Sequence, residues 1–191
     1  MTDRTLQQAG QSEAGRGEAG HDGDAGRAAA CRLSEHVLSS PTATEGLLTW
    51  CEAHGLSHGP ITVRLLREVA PRPLDEECRG ELRPEAGEAV IYRLVVLKRG
   101  DLVLAEADNW FRPRLLSPAM VAALETTDIP FSGVIEPLRP VRRTFGVSFD
   151  TPRLTAGFAF EHRAVLVGED GRPIAVVRER FRADLLAPAA G

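Results

Sequence analysis

Six short segments rich in β-branched and aliphatic residues occupy most of the chain after residue 60. They cover residues 61–69, 89–98, 101–111, 141–149, 157–167 and 173–181. Arg99-Gly100 separates the second and third segments, and a Gly/Asp-rich turn separates the last two, so tight turns are predicted at both places. The segments show no strand–helix–strand alternation of the parallel type, and neither a GxGxxG motif nor a phosphate loop occurs. The sequence therefore predicts an α+β domain with a six-stranded, mainly antiparallel sheet.

Two or three helices are predicted between and before these strands. Residues 43–55 place Leu47 and Cys51 at helical spacing, and Ser117-Pro118 is typical of the start of a short helix over residues 117–125. Residues 70–88, rich in Pro, Glu and Asp, predict a loop. Residues 126–138 predict a loop or a broken helix.

The first 30 residues are rich in Ala, Gly and acidic side chains and contain hardly any large apolar residue. Such a segment buries too little surface to offset the entropy lost on ordering. The sequence therefore predicts a disordered tail over residues 1–30 and one domain over residues 31–191.

Composition argues against several classes of partner. A formal net charge of −4 gives no basic field for nucleic acid, and no apolar run reaches the roughly 20 residues that cross a membrane. The polar start lacks the pattern of a secretion signal, which predicts a cytoplasmic protein. Three cysteines and five histidines show no ligand spacing, so no metal is expected. No cofactor motif occurs, and a monomer or weak homodimer is expected.

Several polar side chains share a strand row with apolar neighbours, which predicts that they face the core. Arg93 lies in a row with Ile91, Val95 and Leu97, and Glu179 lies in a row with Val177 and Phe181. The same pattern applies to Arg67, Asn109 and Arg143, whereas Arg178 and Arg180 are predicted to form a solvated face.

A buried charge without a partner costs several kcal/mol, so these groups require partners. The arginines outnumber the single glutamate, and a guanidinium matches a carboxylate, so a ligand that carries a carboxylate is predicted. A structural ion pair between Arg93 and Glu179 is the alternative. A register shift of one residue would reverse every one of these facings.

Several segments resemble those of the chorismate pyruvate-lyase family, also called 4-hydroxybenzoate synthase, in the family's order. The resemblance extends from about Leu47 to Leu185. It rests on LLTW, ITVRLLRE, YRLVVL, LAEADNWFRP, the loop at residues 129–133, RRTF, FEHRAVL and GRPIAVVRERF. The resemblance implies a six-stranded antiparallel sheet with helices that enclose an internal ligand pocket.

The resemblance also implies roles for individual residues. Arg93 would bind the ligand carboxylate, Glu179 would contact the oxygen from which pyruvate departs, and a backbone amide near Phe131 would touch the ligand. Asn109 stands where the family has a second arginine, for which Arg143 or Arg67 would substitute.

The implied activity is that of a cofactor-free carbon–oxygen lyase that eliminates pyruvate from chorismate, or a close analogue, to give a hydroxybenzoate. A second hypothesis is a diverged enzyme that catalyses elimination or cyclisation, including cycloaddition, of a natural-product intermediate such as a polyketide. A third is a non-catalytic domain that binds a small molecule.

Overall fold

The computed structural model describes residues 18–149 and 157–186, with side chains described from residue 24 onward. These residues form five α-helices and six β-strands. The helices are α1 (Glu18–Ser39), α2 (Ala43–Ala53), α3 (Glu76–Leu82), α4 (Pro118–Thr126) and α5 (Phe131–Ile135). The strands are β1 (Ile61–Leu65), β2 (Ile91–Arg99), β3 (Leu102–Phe111), β4 (Val141–Ser148), β5 (Phe158–Val167) and β6 (Pro173–Arg182).

The six strands form one antiparallel sheet in the order β1-β2-β3-β6-β5-β4, which confirms the predicted fold class. The two predicted turns connect β2 to β3 and β5 to β6. Gly100 and Gly171 adopt positive φ angles of 57° and 77° in these turns, where a side chain would be strained.

The two faces of the sheet are covered differently. On the inner face, which carries Arg93, Asn109 and Val177, one half of the core packs against α1 and α2. The other half packs against α4 and α5. On the outer face, α3 covers Trp110 and Val176. The two halves of the inner core therefore meet over the central strands.

Helix α1 corrects the predicted tail. It begins at Glu18, and Ala30, Leu33 and Val37 in its second half are buried in the inner core. Its first turns consist largely of small and polar residues, so the sequence shows no apolar face there, although alanine favours helix. Residues 1–17 of the predicted tail lie outside the described residues.

Helix α3 lies within the segment that was predicted to be a loop. The Asp75 side chain accepts a hydrogen bond of 2.9 Å from the Cys78 amide, which caps the helix, and Arg83 ends it in the left-handed region. Cys78 and Leu82 are buried against the outer face. The helix has seven residues, too few for a helical repeat of apolar side chains to be recognised in the sequence.

Strand β4 contains a β-bulge that reverses its facing. The register shifts between Thr144 and Gly146, so Phe145 packs in the outer core whereas Phe149 packs against the inner core. Arg143 pairs with Val165 and faces outward. The predicted row that joined Arg143 to Val147 and Phe149 is therefore wrong, because it assumed an uninterrupted strand.

Among the described residues, no helix combines the length and the apolarity needed to cross a membrane. The same residues contain no cluster of His, Cys, Asp and Glu that would hold a metal ion.

His162 on β5 lies fully buried between Phe160 and Phe181, and its Nε2 lies 2.8 Å from the Ser34 hydroxyl. Burial, and secondarily the charge of Arg142, lowers the pKa of His162 to about 3. In the unfolded chain a histidine pKa is about 6.5. The unfolded chain therefore binds a proton below about pH 6.5 that the folded protein does not accept.

We predict that the free energy of unfolding decreases by about 1 kcal/mol for each pH unit between pH 6.5 and 4.5 because of this histidine. Denaturant unfolding across that range should show the slope in the wild type. His162→Gln should reduce it, while His58→Gln, at an exposed position, should not. Equal slopes in the wild type and His162→Gln would contradict the assignment.

Candidate functional site

A cavity of about 80 Å³ lies on the inner face where the two halves of the core meet. We call it the main cavity. Its floor is formed by residues of β2, β3 and β6, and its walls by the first turn of α2, the start of α5, and one side chain each from β4 and β5. The floor residues are Val95, Leu97, Ala107, Asn109, Val177 and Glu179, and the wall residues include Thr42, Ala43, Thr44, Pro130, Phe131, Ser132, Arg142 and Leu166.

An ion pair stands in this otherwise largely apolar cavity. The Arg142 Nη2 donates to Glu179 Oε2 at 2.5 Å, and each side chain is 13% exposed. A second bond, from Arg142 Nη1 to the Thr144 hydroxyl at 2.7 Å, fixes the guanidinium. Glu179 is thereby held as an acceptor, opposite Ala107 on β3 and His162 on β5. Sequence reasoning missed Arg142, since it shares a row with Thr144 and Ser148 that is typical of a solvent face.

Arg93 lies on the same face as Glu179, directly opposite Asn109, but lines a different cavity. This lateral cavity, of about 270 Å³, is bounded by Arg67, Arg93 and apolar residues that include Ile91, Phe111 and Leu124. The prediction that Arg93 and Glu179 share one chamber is wrong. The alternative, an Arg93–Glu179 ion pair, is also absent, because each side chain has other partners.

Residues 127–132 run from the end of α4 into the first turn of α5, and we call them the partition loop. The Arg93 Nη2, from the lateral cavity, donates to the carbonyls of Thr127 and Ile129, at 3.4 and 3.2 Å. Pro130, Phe131 and Ser132 line the main cavity. The loop therefore lines the main cavity and is bonded to an arginine of the lateral one.

Arg93 is a buried cation that lacks a carboxylate partner among the described residues. It is 4% exposed, and its Nε and Nη1 make no hydrogen bond there. The other three buried arginines, Arg99, Arg112 and Arg180, each pair with a carboxylate. Burial lowers the pKa of Arg93 to about 10, with Asp128 opposing and Arg67 adding to the effect, so the group remains protonated at neutral pH.

The other predicted site residues lie in three different places: the main cavity, the lateral cavity and the outer face. Asn109 and Phe131 are buried and line the main cavity with Glu179. The Asn109 amide donates to the Ala107 carbonyl at 3.1 Å. Arg67 lines the lateral cavity at an exposed position. Arg143 lies on the outer side, exposed and paired with Glu81, and lines neither cavity. The predicted inward facing of Arg143 is a consequence of the undetected bulge.

A second polar cluster lies on the outer face. Asp108 is fully buried and accepts hydrogen bonds from Tyr92 at 2.6 Å, Arg72 at 2.9 Å and Arg180 at 3.2 Å. Arg178 is also largely buried and pairs with Asp75. Arg178 and Arg180 therefore do not form the predicted solvated face, since α3 and the segment before it cover them.

The fold is shared with solved structures that include an effector domain. The chain matches PhnF from Mycobacterium smegmatis at a TM-score of 0.54 and 17% identity, over 78% of this chain and 67% of that one. It matches the effector domain of PhnF at a TM-score of 0.50 and 19% identity, over 75% of this chain and 90% of that domain. It also matches YydK from Bacillus subtilis, a possible transcriptional regulator, at a TM-score of 0.48 and 14% identity. That match covers 69% of this chain and 61% of YydK.

These likenesses define a class by fold: an α+β domain of the kind found in the effector domain of PhnF. No family model matches the sequence. A curated relative, the uncharacterized protein y4mC of Sinorhizobium fredii, is 32% identical over 174 residues, which cover 81% of this chain and 73% of y4mC. The chain belongs to the same family as y4mC.

The assignment to the chorismate pyruvate-lyase family is therefore wrong, and with it the predicted lyase activity on chorismate. The matched fold is that of PhnF and of its effector domain, and neither is a chorismate lyase. The geometry agrees with this correction. Glu179 is engaged by Arg142, and the expected carboxylate anchor, Arg93, stands in the other cavity.

We predict strong coupling between Arg142 and Glu179. Arg142→Leu should lower the free energy of unfolding by about 2 kcal/mol, because it leaves a largely buried carboxylate without its partner. The double variant Arg142→Leu/Glu179→Leu should recover at least about 1 kcal/mol of that loss. Denaturant unfolding of the four proteins of the cycle measures the coupling energy. Additive losses would contradict the pairing.

Proposed function

We propose that this chain is a non-catalytic domain that binds a small molecule, and that the ligand carries a carboxylate or similar oxyanion that pairs with Arg93. The observation that carries the proposal is the buried Arg93 guanidinium, whose Nε and Nη1 have no partner among the described residues and which borders a cavity of about 270 Å³. The fold shared with the effector domain of PhnF supports a regulatory use of binding.

The energetics favour an anionic ligand. Asp128 lies near Arg93 but makes no hydrogen bond with it, so the buried cation lacks a hydrogen-bonded carboxylate. Such a group is unfavourable by several kcal/mol, and an oxyanion in the lateral cavity would relieve this cost. A carboxylate can accept two parallel hydrogen bonds from a guanidinium and carries a full negative charge, neither of which the two backbone carbonyls that Arg93 now contacts can offer. Arg67, at the exposed side of the same cavity, would add a second positive charge.

The rest of the ligand is proposed to be apolar with a few polar groups. Ile91, Phe111 and Leu124 line the lateral cavity, which suits a hydrocarbon or aromatic body. Asn109, Phe131 and Glu179 in the main cavity are proposed to orient a ligand group that extends past the partition loop. The net charge of −4 supports a small molecule, rather than nucleic acid, as the partner of this domain.

Binding is tested with a panel of carboxylates of increasing apolar size, from acetate to octanoate and 4-hydroxybenzoate, each compared with its uncharged amide. At least one carboxylate should raise the melting temperature saturably while its amide does not. Incubation with chorismate should yield no pyruvate above the buffer control. A panel without any saturable response, or pyruvate formation that Glu179→Gln abolishes, would overturn the proposal.

Two substitutions of equally buried arginines separate a binding role from a structural one. Arg93 and Arg112 are both 4% exposed, but Arg112 makes a bidentate pair with Glu88 at 2.7 and 2.9 Å. Arg112→Met should lower the free energy of unfolding by about 2 kcal/mol, since it removes the bidentate partner of the Glu88 carboxylate and leaves that group paired with Arg114 alone. Arg93→Met should leave it unchanged or raise it by about 1 kcal/mol, because it removes an unpaired buried charge.

Carboxylate affinity should fall at least about tenfold in Arg93→Met, which corresponds to one charge-assisted contact of about 1.4 kcal/mol. Denaturant unfolding and calorimetric titration measure the two effects separately. A loss of stability in Arg93→Met as large as that in Arg112→Met would assign Arg93 a structural role and contradict its assignment as a ligand group.

A further inference from the structure

The two arginines that line the lateral cavity both hold backbone carbonyls at the end of α4. Arg67 Nη2 donates to the Glu125 carbonyl at 2.7 Å, and Arg93 Nη2 donates to those of Thr127 and Ile129. The two arginines that are proposed to bind the ligand therefore already bind three backbone carbonyls, those of residues 125, 127 and 129. Main-chain carbonyls at a helix C-terminus carry partial negative charge, so they act as weak acceptors in place of an anion.

Few other contacts hold the first half of the partition loop. The Ile129 side chain is 46% exposed, and Asp128 is exposed. Its local hydrogen bonds are those of the Thr127 amide and hydroxyl to the Ala123 carbonyl, at 3.0 and 2.7 Å, and that of the Ile129 amide to the Thr127 hydroxyl at 3.4 Å. The buried Phe131, which contacts Phe111 at 5.6 Å between ring centroids, anchors the other end. Beyond the two bonds from Thr127 to Ala123, Arg93 therefore supplies much of what fixes residues 127–129.

We infer that the partition loop is a ligand-released latch: an oxyanion that binds Arg93 and Arg67 displaces the carbonyls of residues 125, 127 and 129, frees the loop, and opens the lateral cavity toward the main one. The inference rests on the proposed function and deepens it by stating how occupancy changes the structure. A carboxylate competes with a backbone carbonyl for a guanidinium because it accepts two parallel bonds and adds the attraction between opposite charges. The change would reach α4 and α5, which the loop connects.

Amide hydrogen exchange of the full chain, followed by mass spectrometry, tests the latch. The reporter is the peptide that covers residues 123–135, which contains the protected amides of Thr127, Gly133 and Val134. Saturation with 4-hydroxybenzoate, or with the panel carboxylate that binds most tightly, should speed exchange in this peptide by about fivefold or more. Arg93→Met should show the fast exchange without any ligand, and Arg143→Met, on the outer face, should not.

Peptides from β5 and β6 should exchange unchanged in every sample, which separates release of the loop from global unfolding. Saturable binding with unchanged or slower exchange in residues 123–135 would overturn the latch and leave the proposed function standing. Slow exchange in Arg93→Met would overturn it as well. If no carboxylate binds, the proposed function fails and the ligand-driven latch fails with it.

Discussion

The antiparallel register across β2, β3, β6 and β5 determines where every candidate side chain lies. It aligns Arg93, Asn109 and Val177 in one row across the inner face, and Ala107, Glu179 and His162 in the next. Because facing alternates strictly along a strand, a slip of one residue would send all of these groups outward. The tight turns at Gly100 and Gly171 fix that register at both hairpins. Strand pairing therefore determines which side chains line the two cavities.

Charge distribution separates the two faces of the sheet. On the outer face, buried arginines pair with carboxylates: Asp108 receives three donors, and Arg178 pairs with Asp75. On the inner face Arg142 and Glu179 form one pair, and Arg93 is left with backbone carbonyls. The other buried arginines each pair with a carboxylate, so Arg93 is the exception among the described residues. The unmatched charge is therefore the feature of the inner face that stability does not explain.

Sequence reasoning recovered the sheet because strand alternation and turn residues are local signals. It placed Arg93, Asn109, Phe131 and Glu179 on elements that the structure brings to the inner face. It missed α3 and the first half of α1, since one is two turns long and the other is built largely from small residues. It also missed Arg142, because the partner of Glu179 depends on how β4 pairs at a distance of 37 residues. The partition between the cavities depends on loop conformation, which strand patterns do not encode.

The bulge in β4 has a consequence for how relatives are compared. The extra residue between Thr144 and Gly146 lets Arg142 point into the main cavity while Phe149, seven positions later, also points inward. A Cβ on Gly146 would come within 2.6 Å of the Arg163 guanidinium, the flexible end of a long side chain, which would have to move. In a relative that lacks the extra residue, the residues of β4 before and after this point would keep one uninterrupted alternation between the inner and the outer face. Aligning two such chains without a gap would match Arg142 to a residue on the opposite side of the sheet and hide a difference in ligand preference.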